Sequence, residues 1–140
     1  MEYCTRGDLV QRFGQTEIAD LLDGNNDGQD DQQKLSSRVQ DAEALINGYL
    51  GAKYAVPVVG TIPQAIKLLA CDIVRYLLWD DRAPEEVRKR YDDAVNRLKD
   101  YARGLMVLPE LPAAPTNTSG GVDYFAEERV FTRDSLSGFG

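Results

Sequence analysis

Ile66-Lys67-Leu68-Leu69-Ala70-Cys71-Asp72-Ile73-Val74-Arg75-Tyr76-Leu77-Leu78-Trp79 lies in the most apolar part of the chain and decides its fold class. Ile66, Leu69, Ala70, Ile73, Val74, Leu77 and Leu78 recur at three- and four-residue intervals, the period of an α-helix. Thr61 sits near the expected cap and Pro63 in the first turn, so the helix opens there and runs to about Trp79. Gln64, Lys67, Asp72 and Arg75 leave only a narrow polar stripe. A helix that is apolar over most of its circumference is central to a bundle or covered by a neighbouring subunit. The charges it carries bar it from spanning a membrane.

The flanking segments carry the same period. Leu35, Val39, Ala42, Leu45, Ile46, Tyr49 and Leu50 form one face of a preceding helix, and Gly48 and Gly51 mark its end. Pro84 opens a following helix whose buried face is Val87, Tyr91, Ala94, Val95, Leu98, Tyr101 and Ala102, with Gly104 just past its end. On its other face Glu85, Glu86 and Asp93 each stand four residues before Lys89, Arg90 and Arg97, spacings that favour ion pairs. Thr5 with Asp8 makes a capping-box start to a first helix through Leu9, Val10 and Phe13, which Gly14 stops. A short second helix follows from Thr16 to Leu22. Ala52 to Gly60 is short and extended, because Pro57 pushes Val56 out of the helical region. The expectation is all-α: a bundle of about five helices over residues 1–108. Residues 109–140 form a Pro/Gly-rich linker (Pro109, Pro112, Pro115, then Thr116 to Gly121) and a C-terminal interaction arm.

The chain has 140 residues, 16 basic and 23 acidic, for a net charge of −7. That excess of negative charge disfavours general nucleic-acid binding. The absence of histidine removes His-dependent triads and His-bearing zinc sites. Cys4 and Cys71 form no CxxC pair and no secreted disulfide framework; two reduced thiols are expected, with Cys71 a small core hydrophobe. The polar start, Met1 to Asp8, is no signal peptide, so the protein is expected to begin in a cytoplasm.

Candidate chemistry is sparse. Asp23-Gly24-Asn25-Asn26-Asp27-Gly28 matches the first six positions of a calcium loop, with Asp23, Asn25 and Asp27 as ligands. Lys34 stands where a closing glutamate belongs and Asp30 where an apolar residue belongs, so a polar interhelical loop is the better reading. Arg88-Lys89-Arg90 is the densest basic run and a possible phosphate contact, but interleaved acids make it a solvated helix face. Asp80-Asp81 and Asp92-Asp93 are adjacent on helices and do not face one another; Asp81, close before Pro84, suits a cap. No nucleophile elbow or phosphate loop is present, so no enzyme and no cofactor is expected. Tyr49, Tyr54, Tyr76, Trp79, Tyr91 and Tyr101 fall at core positions, with their hydroxyls expected to reach the surface. The tail keeps Tyr124, Phe125, Phe131, Arg133, Leu136 and Phe139 beyond a linker, and docking onto another surface is their expected use. Calcium-responsive and DNA-binding interaction modules are the alternatives.

Asp41-Ala42-Glu43-Ala44-Leu45-Ile46-Asn47-Gly48-Tyr49-Leu50-Gly51-Ala52-Lys53-Tyr54-Ala55-Val56-Pro57 resembles the D-A-x-x-x-I-x-x-Y-L-x-x-R-Y-x-x-P core of a Mu-like phage family of head–tail joining, or connector, proteins. Tyr3 to Leu9 with Phe13-Gly14, Ala70 to Leu78, Leu98 with Gly104, and Phe131 to Leu136 resemble it too. Lys53 replaces the family's usual arginine, which matters for any bidentate contact. The resemblance implies an all-helical adaptor that forms a ring, commonly dodecameric, beneath the portal of a tailed-phage capsid. Portal protein and a neck or tail-terminator protein would be its neighbours. Genomic DNA would pass through the lumen without specific binding, and no membrane would be involved. It would reside in the virion neck, after assembly in the host cytoplasm. The candidate protein interface is then Lys53, Tyr54, Phe125, Phe131, Arg133, Leu136 and Phe139.

Overall fold

A computed structural model describes residues 2–24 and 30–114. Five α-helices follow one another: α1 Arg6–Phe13, α2 Gln15–Leu22, α3 Gln32–Leu50, α4 Gln64–Trp79 and α5 Glu85–Arg103. A 3-10 turn, Asp80–Arg82, joins α4 to α5. Among the described residues the one extended pairing is an isolated antiparallel bridge between Tyr54 and Ala113. No helix among them is long and apolar enough to cross a membrane. The all-α bundle expected from periodicity is what forms.

α4 is the hub. It packs on α3, α5, α1 and α2. Ile66, Ile73, Val74 and Leu78 have no exposed surface. Burying such a side chain fully is worth roughly 1.5–3 kcal/mol, so this helix holds a large share of the core. Of the two readings of its apolar circumference, the central position is the one realised. Its polar stripe is not a solvent face: Lys67, Asp72 and Arg75 each meet an opposite charge on α1 or α2.

The caps follow the sequence at the start of α1 and the end of α5. Thr5 Oγ1 accepts from the Asp8 N–H at 3.2 Å, and Asp8 Oδ2 accepts from the Thr5 N–H at 3.1 Å. This reciprocal pair satisfies two donors otherwise orphaned at a helix start. Gly104 ends α5 at φ 82°, a left-handed conformation in which a Cβ is costly. Asp31 caps α3 by accepting from the Lys34 N–H at 3.0 Å. The cap expected from Asp81 does not form: Pro84 is the N-cap of α5 and no side chain bonds there. Asp80 instead takes φ 57° to make the sharp exit from α4. Of the three acid–base pairs expected along α5, Glu86–Arg90 closes to 3.5 Å.

The N-terminal segment is core, not an overhang. Tyr3 is 1 % exposed and Cys4 fully buried. Tyr3 Oη donates to Asn47 Oδ1 at 2.6 Å and accepts from the Val58 N–H at 2.8 Å. Tyr3 N–H donates to Glu43 at 2.8 Å. One side chain thus ties the start of the chain to α3 and to the α3–α4 connection, which contains a cis Val56–Pro57 bond.

Candidate functional site

Beyond Gly104 the chain turns back along the bundle. Met106 is half-buried and Leu108 buried, whereas Leu105 and Val107 are each 69 % exposed. The segment is anchored to the residues after α3. Leu108 N–H donates to Tyr54 Oη at 2.8 Å, Ala55 N–H to the Pro112 carbonyl at 3.1 Å, and Ala114 N–H to the Lys53 carbonyl at 3.0 Å. Tyr54 is therefore buried and bonded within its own chain, its hydroxyl facing inward rather than to the surface. Lys53 is exposed, with its side chain lying over Gly104. Leu105 follows Gly104 directly, so an exposed apolar side chain and the Lys53 ammonium share this corner of the surface. Phe125, Phe131, Arg133, Leu136 and Phe139 lie outside the described residues.

A second feature is a cluster the periodicity missed. Arg75, 9 % exposed, donates Nε to Glu17 Oε2 at 2.7 Å and Nη2 to Oε1 at 3.0 Å. Trp79 Nε1 adds a third bond to Glu17 at 3.0 Å. The Arg75 guanidinium lies 4.2 Å from the centroid of the Phe13 ring, a cation–π contact. The Arg75 hydrogen bonds hold the Glu17 carboxyl below its ordinary pKa. A carboxylate accepting three hydrogen bonds from α4 clamps α2 against it. Phe13, Trp79, Leu21 and Arg82 line a groove of about 560 Å³ over this clamp. Arg75 one turn before Trp79, with an acid in α2, was the available signal, but helical spacing within α4 does not reveal which partner a neighbouring helix supplies.

A third feature is a cleft of about 310 Å³ between α1, α4 and α5, lined by Leu68 and Leu69 and by charges of both signs, Arg12, Arg90 and Arg97 with Asp72 and Asp93. Arg12 reaches Asp72 at 3.4 Å. Burial nevertheless raises the Asp72 pKa, outweighing the nearby arginines. Arg88, Lys89 and Arg90 are exposed on α5, with Arg90 turned to Glu86. At the proposed calcium loop, Asn25 and Asp27 lie outside the described residues. Asp30 is bonded to Arg6, and Lys34 Nζ donates to the Leu21 carbonyl at 3.3 Å. Among the described residues no three acidic or sulfur ligands converge on a metal-sized space.

What these features define is a helical bundle with surface grooves and apolar spots, organised by internal clamps. The sequence pattern of the family described as Bacteriophage Mu, Gp36 matches residues 3–126, and the chain belongs to that family. Two relatives agree. The Mu-like prophage FluMu protein gp36 of Haemophilus influenzae is 29 % identical over 107 residues, covering 76 % of this chain and 74 % of its own. Gene product J of Escherichia phage Mu is 30 % identical over 105 residues, covering 74 % of each. The protein is thus of a Mu-like phage family.

Proposed function

We propose that this protein is a structural virion component, a head–tail connector that forms a ring beneath the portal and joins the capsid to the neck or tail. Family membership over residues 3–126 carries the reading. The structure is compatible in kind. A cyclic ring needs heterologous contacts, in which one patch meets a different patch on the next copy. Leu105 and Val107, and the grooves beside Trp79 and Leu68, are separate patches on one subunit. The portal and a neck or tail-terminator protein are the proposed neighbours, and the negative net charge suits a wall past which DNA must slide. The role needs no catalysis and no cofactor.

Native mass spectrometry of the full chain, alone and mixed with portal protein, tests the proposal. A closed ring or a ring–portal complex is the expected result. A monomer under both conditions would overturn it. A chain ending at Ala114 separates the tail's part from the bundle's, because Leu108 and the bonds through Ala114 belong to the folded body.

A further inference from the structure

Cys4 and Cys71 are 67 positions apart, yet their Sγ atoms stand 3.5 Å from each other in the interior. Cys4 is fully buried and Cys71 is 3 % exposed. Both are free thiols. Cys4 belongs to the segment that Tyr3 pins to α3, and Cys71 to the hub helix α4, so both backbones are held. Closing the pair to a disulfide needs the sulfurs to approach from 3.5 Å to about 2.05 Å. Closure therefore requires the two side chains to rotate towards each other.

We propose that Cys4 and Cys71 form a latent cross-link, a dithiol that low-molecular-weight disulfides oxidise to an intramolecular disulfide stapling the N-terminal segment to α4. The chemistry balances. The Cys71 thiolate attacks one sulfur of the reagent disulfide and expels the first thiolate. Cys4 sulfur then attacks Cys71 Sγ in the mixed disulfide and expels the second. The two protons lost by the protein end on the two released thiols, so the protein is oxidised by two electrons and the reagent reduced by two.

The order of attack follows from the surroundings. Cys71 lines a cleft of about 330 Å³ with Asp8, Arg12, Gln64 and Lys67, and Cys4 lines another of about 240 Å³ with Glu2 and Arg6, so each sulfur borders a surface cleft. The hydrogen bond from Cys4, helped by Arg12, lowers the Cys71 thiol against burial and the nearby Asp8 and Asp72, whereas the hydrogen bond with Cys71 and burial push the Cys4 thiol up. A thiolate is the attacking species in exchange, and proximity supplies the resolving thiol.

The experiment is a glutathione redox titration of the purified full-length protein, read by intact mass, denatured-state thiol counting and thermal melting. The expected product is a single chain lighter by two hydrogens, not covalently joined to another copy, with no titratable thiol and with the peptides containing Cys4 and Cys71 joined. A loop of this length predicts a melting temperature higher by about 15 °C in the oxidised form. Cys4→Ser should instead stop at a mixed disulfide on Cys71, heavier by one glutathione. Wild-type protein that stays fully reduced, accumulates the mixed disulfide, or links only between molecules overturns the proposal. Because these readings are made on the wild-type chain, poor folding of the serine variant does not shelter it.

Discussion

Glu17→Ala is the perturbation that tests the internal clamp most directly. The substitution removes two charge-assisted bonds to Arg75 and one to Trp79. It leaves a guanidinium that is 9 % exposed without its counter-ion. Stranding a fully buried charge costs about 3–5 kcal/mol. Here the Glu17 side chain is 23 % exposed, so water enters the vacated space and the cost falls to about 2–3 kcal/mol. For a domain of this size that lowers the melting temperature by about 10 °C. Asp41→Ala is the control: it breaks the exposed 3.9 Å pair with Arg38 and is worth about 0.5 kcal/mol or less. Urea titration followed by far-ultraviolet circular dichroism and by the fluorescence of Trp79, the sole tryptophan, measures both. The pH dependence has a definite sign. The folded-state pKa of Glu17 is depressed, so its stabilisation is complete above the ordinary value of 4.5 and is lost as pH falls through the lower folded value. The gap between wild type and Glu17→Gln is therefore flat from neutral pH to about 5 and closes below 4.5. A Glu17→Ala loss no larger than that of Asp41→Ala, or a gap that persists at low pH, refutes the clamp.

Two other substitutions probe the remaining features. Tyr54→Phe removes the acceptor for the buried Leu108 N–H and should cost about 1–3 kcal/mol; hydrogen exchange should accelerate at Leu108 and Ala114 more than in α4, and uniform exchange would contradict the anchor. Asp72→Asn should leave the protein at least as stable at pH 7 and raise its denaturant midpoint, because burial outweighs Arg12 and the ionised form is the costly one. That gain should fade as pH falls through the raised carboxyl value. Denaturant midpoints across pH read it, and a clear loss at pH 7 would show that the Arg12 pair dominates.

The helices were legible because each writes its own period. α4 reads from Ile66 to Leu78, and α5 from Val87 to Tyr101, with no knowledge of any neighbour. Thr5, Asp8 and Gly104 were legible for the same reason: a cap is a local bargain between a side chain and the adjacent backbone. What the residues could not disclose was everything that crosses between elements. Arg75 belongs to a polar stripe until α2 brings Glu17 against it, and Asp72 until α1 brings Arg12. Tyr3 and Tyr54 look like ordinary amphipathic aromatics, yet each hydroxyl meets a backbone N–H more than fifty positions away. The meeting of Cys4 with Cys71 is of the same kind. Asp81 failed as a cap because it is taken up in the 3-10 turn Asp80–Arg82, which leaves Pro84 at the N-cap of α5.

The bonds from Ala55 to Pro112 and from Ala114 to Lys53 join the residues that follow α3 to those that follow α5. Lys53 and Ala55 thereby share a hydrogen-bonded seam with Pro112 and Ala114, although about sixty positions separate them along the chain. A change that shifts the residues after α3 therefore shifts the residues after α5 with them, and neither stretch can be repositioned alone.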